Sequence, residues 1–247
     1  MSGRSPLACG LAERYGDGMK RWLFLAFCLV ATLSFCALGV WQIERRAWKL
    51  ALIAAVDARV HAAPVAPPGP RDWGRVSAAG DAYRHVVVHG RYLPDRDTLV
   101  QALTEQGPGF WLISPLQTDR GPIVLINRGF VPTGWRGPPG RAPEEHTVIG
   151  LLRMSEPGGS LLQANQPLAG RWHSRDVAAI AQARGLSHVA PYFIDADATP
   201  NPGGWPEGGL TVIRFPNNHL VYALTWFGLA ALSLFGLATL LRTKPVR

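Results

Sequence analysis

Residues 216–241, PNNHLVYALTWFGLAALSLFGLATLL, open with two asparagines and a histidine and continue as an apolar run. From Leu220 to Leu241 this run has no charged residue over 22 positions. A helix of that length crosses about 30 Å of hydrocarbon, and only a helix satisfies its own backbone hydrogen bonds there. The stretch therefore predicts a membrane-spanning helix with His219 at its start.

A second apolar run lies near the N-terminus. Trp22 to Trp41 contains no charged residue over 20 positions. It is too long for a typical signal-peptide core, and no small-x-small cleavage site follows it. The two runs account for the mean hydropathy of +0.06. We therefore expect two membrane spans, one on each side of the central sequence.

The charges of the tails predict the orientation of these spans. Two spans place both termini on one side, and the tails carry seven basic residues against two acidic ones. Short basic tails stay in the cytoplasm. The N-terminal tail does not resemble a transit peptide, so we expect a multi-pass protein of the bacterial inner (plasma) membrane with a periplasmic domain. The predicted segments are a cytoplasmic tail (1–21), a span (22–41), an extracytoplasmic domain (42–219), a second span (220–241) and a second cytoplasmic tail (242–247).

Composition argues against several classes of function. The net charge is +8, but the tails supply +5 of it. The remaining charge is small and scattered, which argues against nucleic acid as a partner, while the basic tails suit a lipid bilayer. All three cysteines lie before residue 42, so the central domain has no disulfide and no thiolate for a metal.

The central domain is predicted to begin as a helical stalk (42–60) that ends at a proline-rich stretch (62–70). A helix is expected over 176–185, with Asp176 as its N-cap and Gly185 just after its end. Residues 97–103 are expected to form a hairpin with the strand before them. The β-branched and aromatic segments predict strands at 83–93, 97–103, 110–116, 122–132, 146–154, 191–197 and 210–215. Together they predict a mainly antiparallel, α+β domain.

The sequence contains no recognisable catalytic motif, and we predict that the protein is not an enzyme. His85 and His89 share a strand face but lie about 13 Å apart, too far to bind one metal ion.

The start of the second span offers the best candidate site. His219, Tyr222, Ala223 and Trp226 share one helix stripe, and Trp226 lies about 10 Å deeper than His219. An imidazole, a small residue and two aromatics suit a flat apolar ring system. The helix N-terminus, with Arg214 near it, suits a carboxylate. Ordinary interfacial residues are the alternative interpretation of the same pattern.

Four segments resemble the surfeit locus protein 1 family: LGVWQIERRAWK (38–49), GPGFWLISPL (107–116), VLINRGFVP (124–132) and PNNHLVYALTWFGLA (216–230). Their order and spacing fit that family from about residue 21 to residue 245. Phe130 stands where the family usually has tryptophan.

The resemblance implies a two-span inner-membrane protein that assists assembly of haem-copper cytochrome c oxidase. It implies that His219 holds haem a transiently, as an axial ligand of the haem iron, for delivery to the catalytic subunit. Haem a synthesis proteins are then expected partners. Arg45 and Lys49 are expected to meet haem propionates or lipid phosphates. The predicted haem-binding residues are His219, Tyr222, Trp226, Arg214 and Arg45.

Two rival interpretations remain. The protein could be a membrane-tethered scaffold for oxidase assembly that does not bind haem. It could be a haem-modifying enzyme, which the absence of an acid-base or redox cluster disfavours.

In the third segment, Asn127-Arg128-Gly129 is expected to form a tight turn in which glycine permits a positive φ. Arg128 is expected to pair with a buried acid or with the oxidase.

Overall fold

A computed structural model describes residues 6–137, 145–160, 163–198, 204–213 and 215–242, with side chains from residue 19 onward. The chain divides into two compact units. The helical unit comprises Met1–Ile53 and Arg214–Arg247, and the β unit comprises Ala54–Ile213.

The two long helices coincide with the apolar runs in the sequence, and two short helices lie between them. They are α1 (Pro6–Val60), α2 (Ala78–Asp81), α3 (Val177–Ala183) and α4 (His219–Arg242). Helix α1 continues without a break through the predicted stalk to Val60. Two segments are long and apolar enough to cross a membrane, Met19–Val60 and His219–Arg242. The prediction of two candidate membrane helices flanking a β-rich α+β domain is therefore confirmed.

In the helical unit, α1 and α4 pack antiparallel along a seam with a seven-residue repeat. We call this set of contacts the heptad seam. Its four paired contacts are Arg21 with Leu240, Cys28 with Ser233, Phe35 with Trp226, and Gln42 with His219. A seven-residue repeat on both partners is the spacing that keeps one face of each helix against the other in left-handed packing.

Small residues let the two helices approach closely. Ala223 and Ala230 are buried. A Cβ added to Gly39 would lie 2.6 Å from the ring of Phe227, so a larger residue at this position on α1 would require that ring to move. Without a hydrophobic force between helices in lipid, such close packing is the main source of their association.

The β unit is built on six strands: β1 (His85–Tyr92), β2 (Thr98–Thr104), β3 (Gly107–Thr118), β4 (Ile123–Pro132), β5 (Glu145–Met154) and β6 (Val189–Ala196). The sheet order is β1-β5-β6-β4-β3-β2, and β1 also pairs with the C-terminal end of β3. Five strands therefore close into a ring, and β2 extends the sheet beside the N-terminal half of β3. Closure removes the exposed edges that an open sheet would leave on these strands.

Strands β3, β4 and β6 bury residues on both of their faces. One cluster centres on Val86, Leu116, Ile126, Leu152 and Tyr192. A second cluster, on the opposite face, joins α3 to the sheet through Val177, Ile180, Leu125 and Phe193. Adjacent residues of β4, Leu125 and Ile126, belong to different clusters, as the two-residue period of a strand requires. Asp176 caps α3 by accepting a bond from the amide of Ala179, and Gly185 follows the C-cap residue Arg184, both as predicted. Gly185 has a φ of 62°.

Two details of strand pairing differ from expectation. Residues 97–103 do not form a hairpin with the strand before them, because among the described strands β2 pairs only with β3. Residues 210–213 form no strand. The preceding chain forms a single bridge between Glu207 and Phe130 and then turns at Gly209, which has a φ of 74°. The hydroxyl of Thr211 donates a hydrogen bond to Asp195. The domain is mainly antiparallel, but β4 and β6 run parallel.

Candidate functional site

His219 is the first residue of α4, and a buried glutamine holds its ring. Its Nδ1 lies 2.7 Å from Oε1 of Gln42 on α1. Gln42 is only 9% exposed, whereas His219 is partly exposed. Within the described residues, Nε2 of His219 has no hydrogen-bond partner. The site therefore consists of an imidazole fixed on one nitrogen and unpaired on the other.

The predicted stripe on α4 is divided between the seam and the outer face of the helix. Trp226 stacks on Phe35, with ring centroids 5.8 Å apart and planes inclined by 24°. Ala223 is 1% exposed and lies between helices, while Tyr222 is 55% exposed. The structure thus brings Trp226 into the heptad seam and leaves Tyr222 outside it. They do not form one continuous aromatic surface with His219.

Basic side chains follow Gln42 along α1. Arg45 is exposed, and its guanidinium lies 4.0 Å from the ring centroid of Trp48. The ammonium of Lys49 lies 5.5 Å from the ring centroid of Phe215. At 1.5 Å per residue, these cations lie about 4.5 Å and about 10 Å along the helix from Gln42. The prediction for Arg214 concerns a residue outside those the structure describes.

The residues just before α4 contribute one unpaired polar atom. Asn218 accepts the first helical bond of α4 through its carbonyl, 3.2 Å from the amide of Tyr222. Oδ1 of Asn217 is buried and has no hydrogen-bond partner in the described part of the chain. A buried acceptor without a donor is costly, so this oxygen is suited to a donor from a bound group.

The other histidines form no metal site among the described residues, where no group of three or more potential ligands occurs. His85 contacts the carbonyl of Ala62 at 2.8 Å and a carboxylate oxygen of Asp197 at 3.3 Å. His89 contacts the hydroxyl of Thr147 at 2.8 Å. Each of these rings therefore has a local partner of its own.

The Asn127-Arg128-Gly129 segment has a structural role that differs from the expected tight turn. It lies inside β4, where one extra residue makes a bulge opposite Trp111 and Ile113. Gly129 has the expected positive φ, 128°, and an added Cβ would lie 2.0 Å from the carbonyl oxygen of Glu207. Within the described residues Arg128 has no acidic partner. Its guanidinium lies 4.7 Å from the ring centroid of Tyr92.

Asn127 belongs to a buried polar cluster centred on Asp195, which is 3% exposed. The carboxylate accepts bonds from Asn127 at 2.8 Å, Arg153 at 2.7 Å, Arg175 at 3.2 Å and Thr211 at 2.9 Å. Burial lowers the pKa of Arg175, but Glu156 and Asp195 outweigh it and raise that pKa above its ordinary value. Because every lone pair of the carboxylate is used, the cluster is suited to stability rather than to proton transfer.

Sequence comparisons identify the family of the chain. The profile of the SURF1 family matches residues 29–231. The chain belongs to the SURF1 family. That match begins within α1 and ends within α4, and so includes the β unit and both Gln42 and His219.

Individual relatives in the SURF1 family align over most of the chain. Surfeit locus protein 1 of Homo sapiens is 32% identical over 250 residues, covering 93% of this chain and 80% of the human protein. The Gallus gallus protein of the same name is 33% identical, covering 88% and 75%. A SURF1-like protein of Monosiga brevicollis is 35% identical, covering 90% and 87%.

Gln42 is the site residue that sequence reasoning missed. It lies within the first family-like segment, yet its contact with His219 joins positions 177 residues apart. The signal available in the sequence was its spacing, because Gln42 follows Phe35, Cys28 and Arg21 at intervals of seven. A polar side chain at such an interval on an apolar helix predicts a polar partner on the facing helix.

Proposed function

We propose that this SURF1 family member is an assembly factor for haem-copper cytochrome c oxidase and that His219 holds haem a for delivery to the catalytic subunit. Members of the family are known as cytochrome c oxidase assembly factors. The observation that carries the haem proposal is the state of His219, bound through Nδ1 and unpaired at Nε2. A neutral imidazole nitrogen of this kind is a common axial ligand of haem iron.

The surroundings of His219 fit such a cargo chemically. Exposed apolar side chains on the two helices, including Tyr222 and Trp41, suit the porphyrin and its hydrocarbon substituents. Arg45 and Lys49 supply positive charge for the propionates. The unpaired Oδ1 of Asn217 is available to accept a hydrogen bond from a donor group of the bound cargo. Trp226 contributes by holding α4 against Phe35 rather than by stacking on the porphyrin.

One axial bond also suits transfer of the cargo. His219 is the single ligand that we assign, so release requires breaking one coordination bond and the weaker contacts around it. Catalysis is not part of this role, and we assign no catalytic residue. The partners in the proposal are the oxidase catalytic subunit, haem a synthesis proteins and the lipid bilayer.

The proposed location follows from the charges in the sequence. We place the two candidate spans in a bacterial inner membrane, with both basic tails in the cytoplasm and the β unit in the periplasm. His219 then lies at the periplasmic boundary of the second span.

A scaffold that never binds haem is the second candidate. The observation that favours it is the heptad seam, in which Gln42 and His219 already satisfy each other and Trp226 is packed against α1. In that role the histidine would serve only to fix the register of the two helices.

Oxidase assembly in cells tests the haem-delivery function. A bacterial host that makes a haem a oxidase, but lacks its own SURF1 protein, would express wild type, His219→Ala or the control His173→Ala. We expect wild type and His173→Ala to restore the haem a content of the purified oxidase, and His219→Ala to restore much less. Full restoration by His219→Ala would support the scaffold and contradict haem delivery.

A further inference from the structure

The contact between Gln42 and His219 determines where the imidazole proton lies. A carbonyl oxygen carries no hydrogen, so Nδ1 must donate to Oε1 across the 2.7 Å separation. In a neutral imidazole one nitrogen donates and the other accepts. Nε2 is therefore the nitrogen that keeps its lone pair.

The helices leave this pair little freedom to rearrange. Gln42 is buried, and the contact is one of the four that form the heptad seam. One helical turn before it on α1, Gly39 lies against Phe227 and brings the two helices close together. Because both side chains extend from packed helices, rotation of the ring would break the hydrogen bond inside the seam.

We propose that Gln42 is a positioning residue that holds His219 in the Nδ1–H tautomer and keeps Nε2 available as a ligand. The assignment of the iron rests on the proposed function, but the tautomer does not. Hydrogen bonds of this kind orient a histidine ligand and raise its basicity. Loss of the outer partner typically weakens metal affinity about 10- to 100-fold.

The β unit contains a matched control. Nδ1 of His173 lies 2.7 Å from Oε1 of Gln101, the same contact at an exposed site. Gln101→Leu removes that acceptor and leaves the helical unit untouched. Gln42→Leu removes the acceptor beside His219, while Gln42→Glu keeps an acceptor oxygen in place.

The first test measures the tautomer without haem. Nitrogen-15 NMR of the imidazole rings, on the full chain in detergent with neutral histidines, distinguishes a protonated nitrogen from an unprotonated one. We expect His219 to be protonated on Nδ1 in wild type and to populate the other tautomer in Gln42→Leu but not in Gln101→Leu. A wild-type His219 protonated on Nε2 would overturn the proposal, because Gln42 would then be presenting its NH₂ group.

The second test measures affinity for haem a by titrating the same proteins and following the Soret band. We expect the Kd to rise about 10- to 100-fold in Gln42→Leu, and to stay near wild type in Gln42→Glu and Gln101→Leu. Unchanged affinity in a folded Gln42→Leu protein would refute positioning toward iron. Absence of haem binding by wild type would refute the proposed function, and the NMR result would still decide the tautomer independently.

Discussion

At the scale of single residues, Asp195 shows how a polar group is kept inside the β unit. Its carboxylate is almost fully buried and accepts four side-chain hydrogen bonds, two of them from arginines. Arg175 also pairs with Glu156 at 2.6 Å. Removing one member of such a network leaves uncompensated charge in a poorly solvated position. The cluster therefore links side chains of β4, β5 and β6, and loss of one member weakens the others.

Asp195→Ala should lower the free energy of unfolding by about 3–5 kcal/mol, because Arg153 and Arg175 lose their buried partner. Denaturant unfolding of the full chain in detergent, followed by tryptophan fluorescence, measures this. The control is Asp197→Ala, whose side chain is 44% exposed beside His85 and should cost at most about 1 kcal/mol. Equal, small effects of the two substitutions would mean that the buried cluster adds little stability.

Two tyrosines predict a loss of stability at alkaline pH. Burial raises the pKa of Tyr92 to about 12, against the opposing charge of Arg128, and burial also raises the pKa of Tyr192 to about 12. Both tyrosines ionise near pH 10 in the unfolded chain and near pH 12 in the folded one. Their contribution to stability is therefore complete below pH 10 and lost as the pH rises toward 12.

The expected slope is about 1.4 kcal/mol of unfolding free energy per pH unit for each tyrosine between pH 10 and 12. Denaturant unfolding of the full chain at several pH values in that range measures it. Tyr92→Phe and Tyr192→Phe should each remove the contribution of one tyrosine to this slope of free energy against pH. The double variant should have a nearly flat dependence between pH 10 and 12. The same steep slope in the double variant would show that other groups control alkaline unfolding.

At the scale of secondary-structure elements, the heptad seam connects helix packing to the candidate site. The contact between Gln42 and His219 is the last of four at seven-residue intervals, so the register of the whole helix pair places it. A change in packing elsewhere along the seam should therefore alter the site. Gly39 lies between Phe35 and Gln42 on α1 and against Phe227, so a larger side chain there should disturb the neighbouring contacts.

Gly39→Leu should force the helices apart, because even a Cβ there would lie 2.6 Å from the Phe227 ring. Overpacking of this kind typically costs about 1–3 kcal/mol. Thermal unfolding in detergent, followed by far-UV circular dichroism, should show a lower Tm. Gly236→Leu is the control, because a Cβ at Gly236 meets nothing within 4 Å. A comparable Tm for both variants would contradict the close approach at Gly39.

The sequence predicts elements better than their partners. β-Branched and aromatic residues predicted β1 and β4 within a few positions, because strand propensity is a local property of the sequence. Pairing of β2 with β3, and the closing contact of β1 with β3, depend on the turns and on long-range packing. The apolar run of α4 likewise predicted a helix but did not show which of its faces meets α1, because nearly every position is apolar.

At the scale of the whole molecule, the family-like segments fall in both units and have different roles in each. The helical unit carries the site at the start of α4, and the β unit holds Asn127 and Gly129 in structural positions. The candidate site could be predicted only in part. His219 was evident from its place at the start of an apolar run. Its partner Gln42 was missed although its seven-residue spacing from Phe35 is visible in the sequence. The packing of Trp226 on Phe35 could not be predicted, because it depends on contacts between the first and last helices.

The measurement that tests the account most directly is the absorption spectrum of the full chain purified in mild detergent after co-expression with haem a synthesis enzymes. Wild type and His219→Ala would be compared at equal protein concentration. We predict a haem a spectrum in wild type that is lost in His219→Ala. Wild type without bound haem a, or equal haem a in both proteins, would contradict the claim that His219 holds this cargo.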